Sequence, residues 1–134
     1  MKIQIELSGT PQGKGRPRFA NGIAYTPAKT RAFESHLRLA AQQAMNGRPL
    51  IEGPVDMRIL AVYAPPKSWS KKKREAALTN KIRPTKKPDS DNVCKIVGDA
   101  LNEVVYLDDK QIVDLCIRKR YGEVARLVVE IREM

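Results

Sequence analysis

PTKKPDSDNVCKIVGDALNEVVYLDDKQI, residues 84–112, is the stretch around which the rest of the chain is arranged. From Asp89 to Asp109 it holds Asp89, Asp91, Asp99, Glu103, Asp108 and Asp109 within 21 positions. The first 88 residues carry 18 Lys+Arg against 5 Asp+Glu. A basic chain that gathers its acids in one segment reads as the holder of a cation. A hard divalent ion such as Mg²⁺ takes oxygen ligands, usually one or two carboxylates from the protein. Within the stretch, Val93, Ile96, Val97, Ala100, Leu101 and Val104 recur at helical spacing and predict a helix over 91–104 with one apolar face. Asp91, Lys95, Gly98 and Asn102 fall on the opposite side, with Asp99 beside them.

The spacing of the acids gives them chemistry. Asp89-Ser90-Asp91 sets two carboxylates two residues apart, on one face of an extended segment. Lys95 follows Asp91 by one helical turn and Asp99 follows Lys95 by another, so the three share a side. Asp108-Asp109 lies between this helix and the next strand. A third carboxylate joins the first two if that loop folds back to the N-terminal end of the helix. A divalent cation polarises a phosphoryl oxygen and acidifies a water, and a nearby lysine stabilises the charge that grows during attack. Plainer roles stay open for each residue. An Asp at a helix start is a common N-cap, Asp-Asp before a strand is ordinary turn chemistry, and Lys95 suits a salt bridge to Asp91 or Asp99.

Outward from this centre the chain alternates strands and helices. Residues 2–8 put Ile3, Ile5 and Leu7 on one face of a strand. Residues 9–22, GTPQGKGRPRFANG, hold four Gly and two Pro and read as a loop with no regular element. Its Lys14, Arg16 and Arg18 suit a mobile arm that touches phosphates. Thr26 and Pro27 open a helix on which Phe33, Leu37, Ala40, Ala41 and Ala44 share a face, and Asn46-Gly47 closes it. His36, the one histidine, reads as a surface residue. Residues 55–63 form a central, mostly buried strand. Ser70 caps a short helix whose first residues are Lys71, Lys72, Lys73 and Arg74, equally a solvated face or a patch for nucleic acid. Residues 111–120 and 124–132 alternate as strands, and the short Tyr121-Gly122-Glu123 link predicts an antiparallel hairpin.

Length and composition bound the rest. The 134 residues predict a single domain spanning 1–134, with 42% hydrophobic residues to build its core. The fold class is α+β: a mixed sheet of about four strands with helices packed on it. A net charge of +10 suits a polyanion such as nucleic acid. Aromatics make up 5%, a thin supply for stacking single strands. Cys94 and Cys116 have no metal-ligand spacing and read as reduced, small apolar residues. The N-terminus lacks the apolar core of a signal peptide, and no run reaches membrane-spanning length, so a cytoplasmic location with no membrane partner is expected.

One block makes the match specific. Lys87-Pro88-Asp89-Ser90-Asp91-Asn92, Lys95, Asp99-Ala100-Leu101-Asn102 and Asp108-Asp109-Lys110-Gln111-Ile112 together resemble the RusA family of Holliday-junction resolvases. Gly13 to Phe19, Tyr25-Thr26-Pro27 and Ser68 to Arg74 resemble its phage- and prophage-type branch. The resemblance implies a homodimeric, Mg²⁺-dependent endonuclease, with Mn²⁺ as a possible substitute, that cuts four-way DNA junctions by paired symmetric incisions. By motif position it makes Asp89, Asp91 and Asp109 the metal-binding catalytic carboxylates and Lys95 the essential lysine. Asp99 and Asp108 stand behind them, and Lys119 matches a recurrent basic position. Lys14, Arg16, Arg18, Lys71, Lys72, Lys73, Arg74, Lys86, Lys87 and Lys119 are the candidate DNA contacts, with Arg118 and Arg120 beside the last. Two other classes stay in view: a non-catalytic DNA-binding protein, and a metal nuclease for flaps, forks or RNA.

Overall fold

A mixed sheet of four strands carries two helices packed on one face. The computed structural model describes every residue except Pro17 and Thr26, and Tyr25 by its backbone alone. In chain order the elements are β1 (Lys2–Ser8), β2 (Arg18–Ala20), β3 (Ile23–Tyr25), α1 (Ala28–Met45), β4 (Val55–Tyr63), α2 (Lys71–Leu78), α3 (Ser90–Ala100), a 3₁₀ turn (Asp109–Gln111), β5 (Ile112–Tyr121) and β6 (Arg126–Glu133). The sheet order is β1-β6-β4-β5. β6 runs antiparallel to both β1 and β4, whereas β4 and β5 are parallel.

The core follows the apolar periodicity. Ile3 and Ile5 of β1, Val55, Met57, Ile59 and Ala61 of β4, and Leu127, Val129 and Ile131 of β6 are buried on one sheet face. Leu37, Ala41 and Met45 of α1 meet them, together with Val93, Ile96, Val97 and Ala100 of α3. Each fully buried aliphatic side chain of this kind contributes about 1.5–3 kcal/mol of transfer free energy, which fixes how α3 is rotated and therefore what its other face presents. The helix ends agree with their cap residues. Asn46 closes α1 with φ 49° and ψ 47°, and the Ser70 side chain accepts from the Lys73 N–H at 3.2 Å. Thr26, the expected cap of α1, lies outside the described residues; Pro27 stands just before the helix.

Three expectations change. Residues 9–22 do contain regular structure, because β2 and β3 pair as a small hairpin. Asn21 and Gly22 at its tip have φ of 52° and 76°, the left-handed pair that a two-residue hairpin turn requires. The helix expected over 91–104 ends at Ala100. The apolar pattern continues because Val104, Val105 and Tyr106 are also buried, but they sit in turns, with Glu103 at φ 62°. Arg38 of α1 donates to the Ala100 and Asn102 carbonyls at 3.0 and 3.2 Å, satisfying the helix end from outside. Finally, β5 and β6 run antiparallel and are joined by a short link, as expected, yet they are not hydrogen-bonded to each other. β4 lies between them. The link over 122–125 spans two strand spacings, about 10 Å, and Gly122 N donates to Tyr63 O at the end of β4 as it crosses.

Candidate active site

α3 sets the geometry. Asp89 precedes it in extended conformation and caps it: its Oδ1 accepts from the Asn92 N–H at 2.9 Å. One turn further on, Asp91 and Lys95 project from the exposed side of the helix. Gly98, one more turn along, is buried, because Asp109 and Ile112 lie directly over it. An ideal Cβ at Gly98 would stand 3.6 Å from the Asp109 Oδ2. The helix thus dispenses with a side chain where the returning loop lands.

That loop is held by several fasteners. The Tyr106 hydroxyl, fully buried, donates to the Gly98 carbonyl at 2.8 Å. Asp108 caps the 3₁₀ turn by accepting from Lys110 N at 2.9 Å. Gln111 completes the reciprocal capping box. Its Oε1 accepts from the N–H groups of Leu107 and Asp108 at 2.9 and 3.0 Å, while its Nε2 donates to the carbonyls of Ile51 and Gly53 at 2.8 and 3.0 Å. Sequence reasoning gave Gln111 no such role; the Asp-x-x-Gln spacing of a capping box was the available signal.

Asp91, Lys95, Gly98 and Asp109 line one open cleft between α3 and β5, with Val113 and Leu115 as its apolar wall. The loop returns over Gly98, in the last turn of α3, not to its N-terminal end. Asp89 accordingly lies outside this cleft. It lines the adjoining one with Gln12, Gly13, Arg16, Lys87 and Asn92. Among the described residues no group of three or more His, Cys, Asp or Glu is gathered closely enough to hold a metal ion. The two carboxylates of one cleft, Asp91 and Asp109, are nevertheless the number Mg²⁺ takes from a protein when phosphate oxygens and water complete its shell.

The electrostatics point the same way. Burial raises the Asp109 carboxyl, and the neighbouring Asp108 and Asp99 carboxylates raise it further. Asp108 is lowered, chiefly by the backbone N–H of Lys110. Among the described residues no ion pair engages Asp89, Asp91, Asp108 or Asp109, and Lys95 pairs with neither Asp91 nor Asp99. Asp99 faces elsewhere: Lys14 bridges it, at 3.3 Å, and Glu34 of α1. Burial pulls the Lys14 ammonium down, but these two carboxylates outweigh it and hold it above the usual lysine value.

The loop that carries Lys14 is seated on the helices. Lys14 N donates to Asn92 O at 3.2 Å, and Gly15 N to the Thr30 hydroxyl at 3.2 Å. Gly13 lies so close to Pro88 that an added Cβ would stand 2.7 Å from the proline Cβ. Of the other candidate DNA contacts, Arg18, Lys71, Lys72, Lys73, Lys86 and Lys87 are exposed, and Arg74 is half-buried. Arg16 lines the cleft beside Asp89. Lys119 donates to the Lys86 carbonyl at 2.8 Å and so ties β5 to the segment before α3. His36 is exposed, as expected. Cys94 is half-buried and Cys116 exposed, both as free thiols.

An open, acid-lined cleft with an unpaired lysine, set in a chain of net charge +10, has the build of a nuclease acting on a phosphodiester backbone. The family model described as Endodeoxyribonuclease RusA matches residues 8–132, and the chain belongs to that family. It is also similar to "Uncharacterized protein YqaN" of Bacillus subtilis (strain 168), with 45% identity over 141 residues, covering 98% of this chain and 96% of that protein. No helix among the described residues is long and apolar enough to cross a membrane.

Proposed function

We propose that this protein is a Mg²⁺-dependent endonuclease that resolves four-way DNA junctions by paired, symmetric incisions, acting in the cytoplasm as a homodimer. The observation that carries the reading is the cleft that Asp91, Lys95 and Asp109 line together, none of them with an ion-pair partner among the described residues. Asp91 and Asp109 are the carboxylates that would hold the cation. Bound there, Mg²⁺, or Mn²⁺ in its place, would polarise a phosphoryl oxygen and lower the pKa of a water. Crowding of Asp109 by Asp108 and Asp99 supports this assignment, since added positive charge relieves it.

The chain's own groups do the rest. Lys95, one turn from Asp91, offers its ammonium to the negative charge that builds on the phosphate during attack. Gln111 and Tyr106 keep the loop in place, so that Asp109 meets the helix in one fixed position. Asp89 holds the start of α3 and keeps Asp91 in register; its part is to position, and with a turn of its side chain it supplies a further oxygen. Basic residues of the neighbouring pockets, Arg16, Lys86 and Lys87 among them, grip the strand backbones.

The homodimer has its own support. β5 is an edge strand whose Val113 and Leu115 are 58% and 51% exposed. Both line the cleft, so a second copy laid along this edge covers apolar surface and completes the wall beside each site. A two-fold dimer presents two sites to the two strands of a junction with matching symmetry. Replacing Asp91 with Asn tests the reading: the variant should bind a labelled four-way junction about as tightly as the wild type and fail to cut it. Cutting at an unchanged rate by this variant is incompatible with the assignment.

A further inference from the structure

Tyr63, Trp69 and Tyr121, drawn from an aromatic set of one Trp, four Tyr and two Phe, gather at the last residues of β4 and β5. Tyr63 and Tyr121 are register partners on the two parallel strands. The Trp69 and Tyr121 rings meet edge to face with centroids 5.3 Å apart. The ammonium of Lys73 lies 4.2 Å from the centroid of the Trp69 ring, and that of Lys119 lies 5.9 Å from the Tyr63 ring. A pocket opens over this cluster, lined by Tyr63, Pro66, Pro84, Lys86, Lys87 and Tyr121, with no acidic residue in its wall.

One polar atom in the pocket's lining is unmatched. The Tyr63 hydroxyl is buried and has no hydrogen-bond partner among the described residues. Burial pushes this phenol up to about 12, and the oxygen itself has almost no surface open to the pocket. Flat aromatic and proline walls and several ammonium groups are elements that hold a nucleotide: faces for the base and cations for the phosphate. A stacked, paired base cannot enter such a pocket. An unpaired one can, and the pair at a branch point, where continuous stacking is interrupted, is the one a protein opens at least cost, of the order of a few kcal/mol. The place is also right, since Lys87 lines both this pocket and the cleft that holds Asp89 and Arg16.

We propose that the Tyr63–Tyr121 pocket receives a single unpaired nucleotide of the DNA substrate, its base against the tyrosine rings and its phosphate at Lys86 and Lys87. The assignment rests on the nuclease reading above and adds to it a site that selects parted strands over continuous duplex.

The test is photocrosslinking. A four-way junction carries 5-iodouracil either at the branch point or within a paired arm. Each is irradiated with the full-length protein in EDTA, and complex formation is followed by fluorescence anisotropy on the same DNA. The branch-point probe should cross-link to peptides containing Tyr63 or Tyr121, and the paired-arm probe should not reach them. Tyr121→Leu, checked for an unchanged melting transition, should weaken junction binding about fivefold or more, the loss of one stacked base, and leave duplex binding as it was. Tyr63→Phe, which keeps the ring, should leave junction affinity close to that of the wild type. Cross-links that form but map elsewhere overturn the pocket and leave the nuclease reading standing, as does full junction affinity in folded Tyr121→Leu. Absence of any DNA complex by anisotropy overturns both.

Discussion

Asp109 lies over Gly98, the one residue of α3 that has no side chain. There the returning loop packs on α3, and an aspartate of one segment lines the same cleft as an aspartate and a lysine of the other. The proposed role of Lys95 predicts that Lys95→Met lowers junction cleavage about 10²- to 10³-fold, the usual cost of removing one group aimed at developing charge, with binding little changed in an anisotropy titration. Equal loss of binding and cutting would make Lys95 a plain phosphate contact. At Gly98 a methyl would meet Asp109 at 3.6 Å, ordinary van der Waals contact. Gly98→Ala therefore should raise unfolding stability by up to about 1 kcal/mol, the helix-propensity difference, in a denaturant melt. The acids and Lys95 were legible in the sequence because their i, i+2 and i, i+4 spacings constrain a helix start. The separation of Asp89 from the cleft was not, since capping and ligation call for the same residue type in the same place. Nor was the pairing of Lys14 with Glu34 and Asp99, which a loop of basic residues gives no hint of.

α3 is the element on which the account turns, and it is pinned at its far end by α1. Arg38→Met removes the donors from the Ala100 and Asn102 carbonyls and should cost about 1–2 kcal/mol in thermal or denaturant unfolding; an unchanged melt would mean water serves those carbonyls as well. β5, the long edge strand, carries the proposed dimer. Leu115→Lys puts a charge in the middle of that edge and should shift the protein to monomers in analytical ultracentrifugation; persistence of a dimer would move the interface elsewhere. Element by element, β1 and β4 were readable from their apolar alternation, α1 from its apolar spacing and its Asn46 stop, and α2 from its Ser70 cap. The end of α3 was not, since Val104, Val105 and Tyr106 prolong the apolar pattern while folding into turns. The β5–β6 link is short enough to suggest direct pairing, and only the long-range insertion of β4 shows that it spans two strand positions. The β2–β3 hairpin was missed for a plainer reason: its Asn21-Gly22 signal lies in a stretch dominated by Gly and Pro.

The whole molecule carries a net charge of +10, and Lys71, Lys72, Lys73, Lys86 and Lys87 are exposed. Binding to junction DNA should therefore weaken steeply with salt, and removing a single phosphate-contacting side chain, as in Lys72→Ala, should reduce the slope of log K against log salt by about one. An unchanged slope would take Lys72 out of the interface. The α+β class, the acidic centre and the basic surround could all be read from one chain because each is written in composition or local period. The meeting of Tyr121 with Tyr63 and Trp69 could not, since Tyr121 lies far along the chain from the other two and only the parallel pairing of β4 with β5 brings it beside them. The most direct measurement is cleavage of a labelled four-way junction by the purified protein, with Mg²⁺ and with EDTA, beside a linear duplex of the same sequence. The account predicts paired, symmetric nicks in the junction that require Mg²⁺ and spare the duplex. Tight junction binding with no cutting in Mg²⁺ or Mn²⁺, or equal cutting in EDTA, would contradict it.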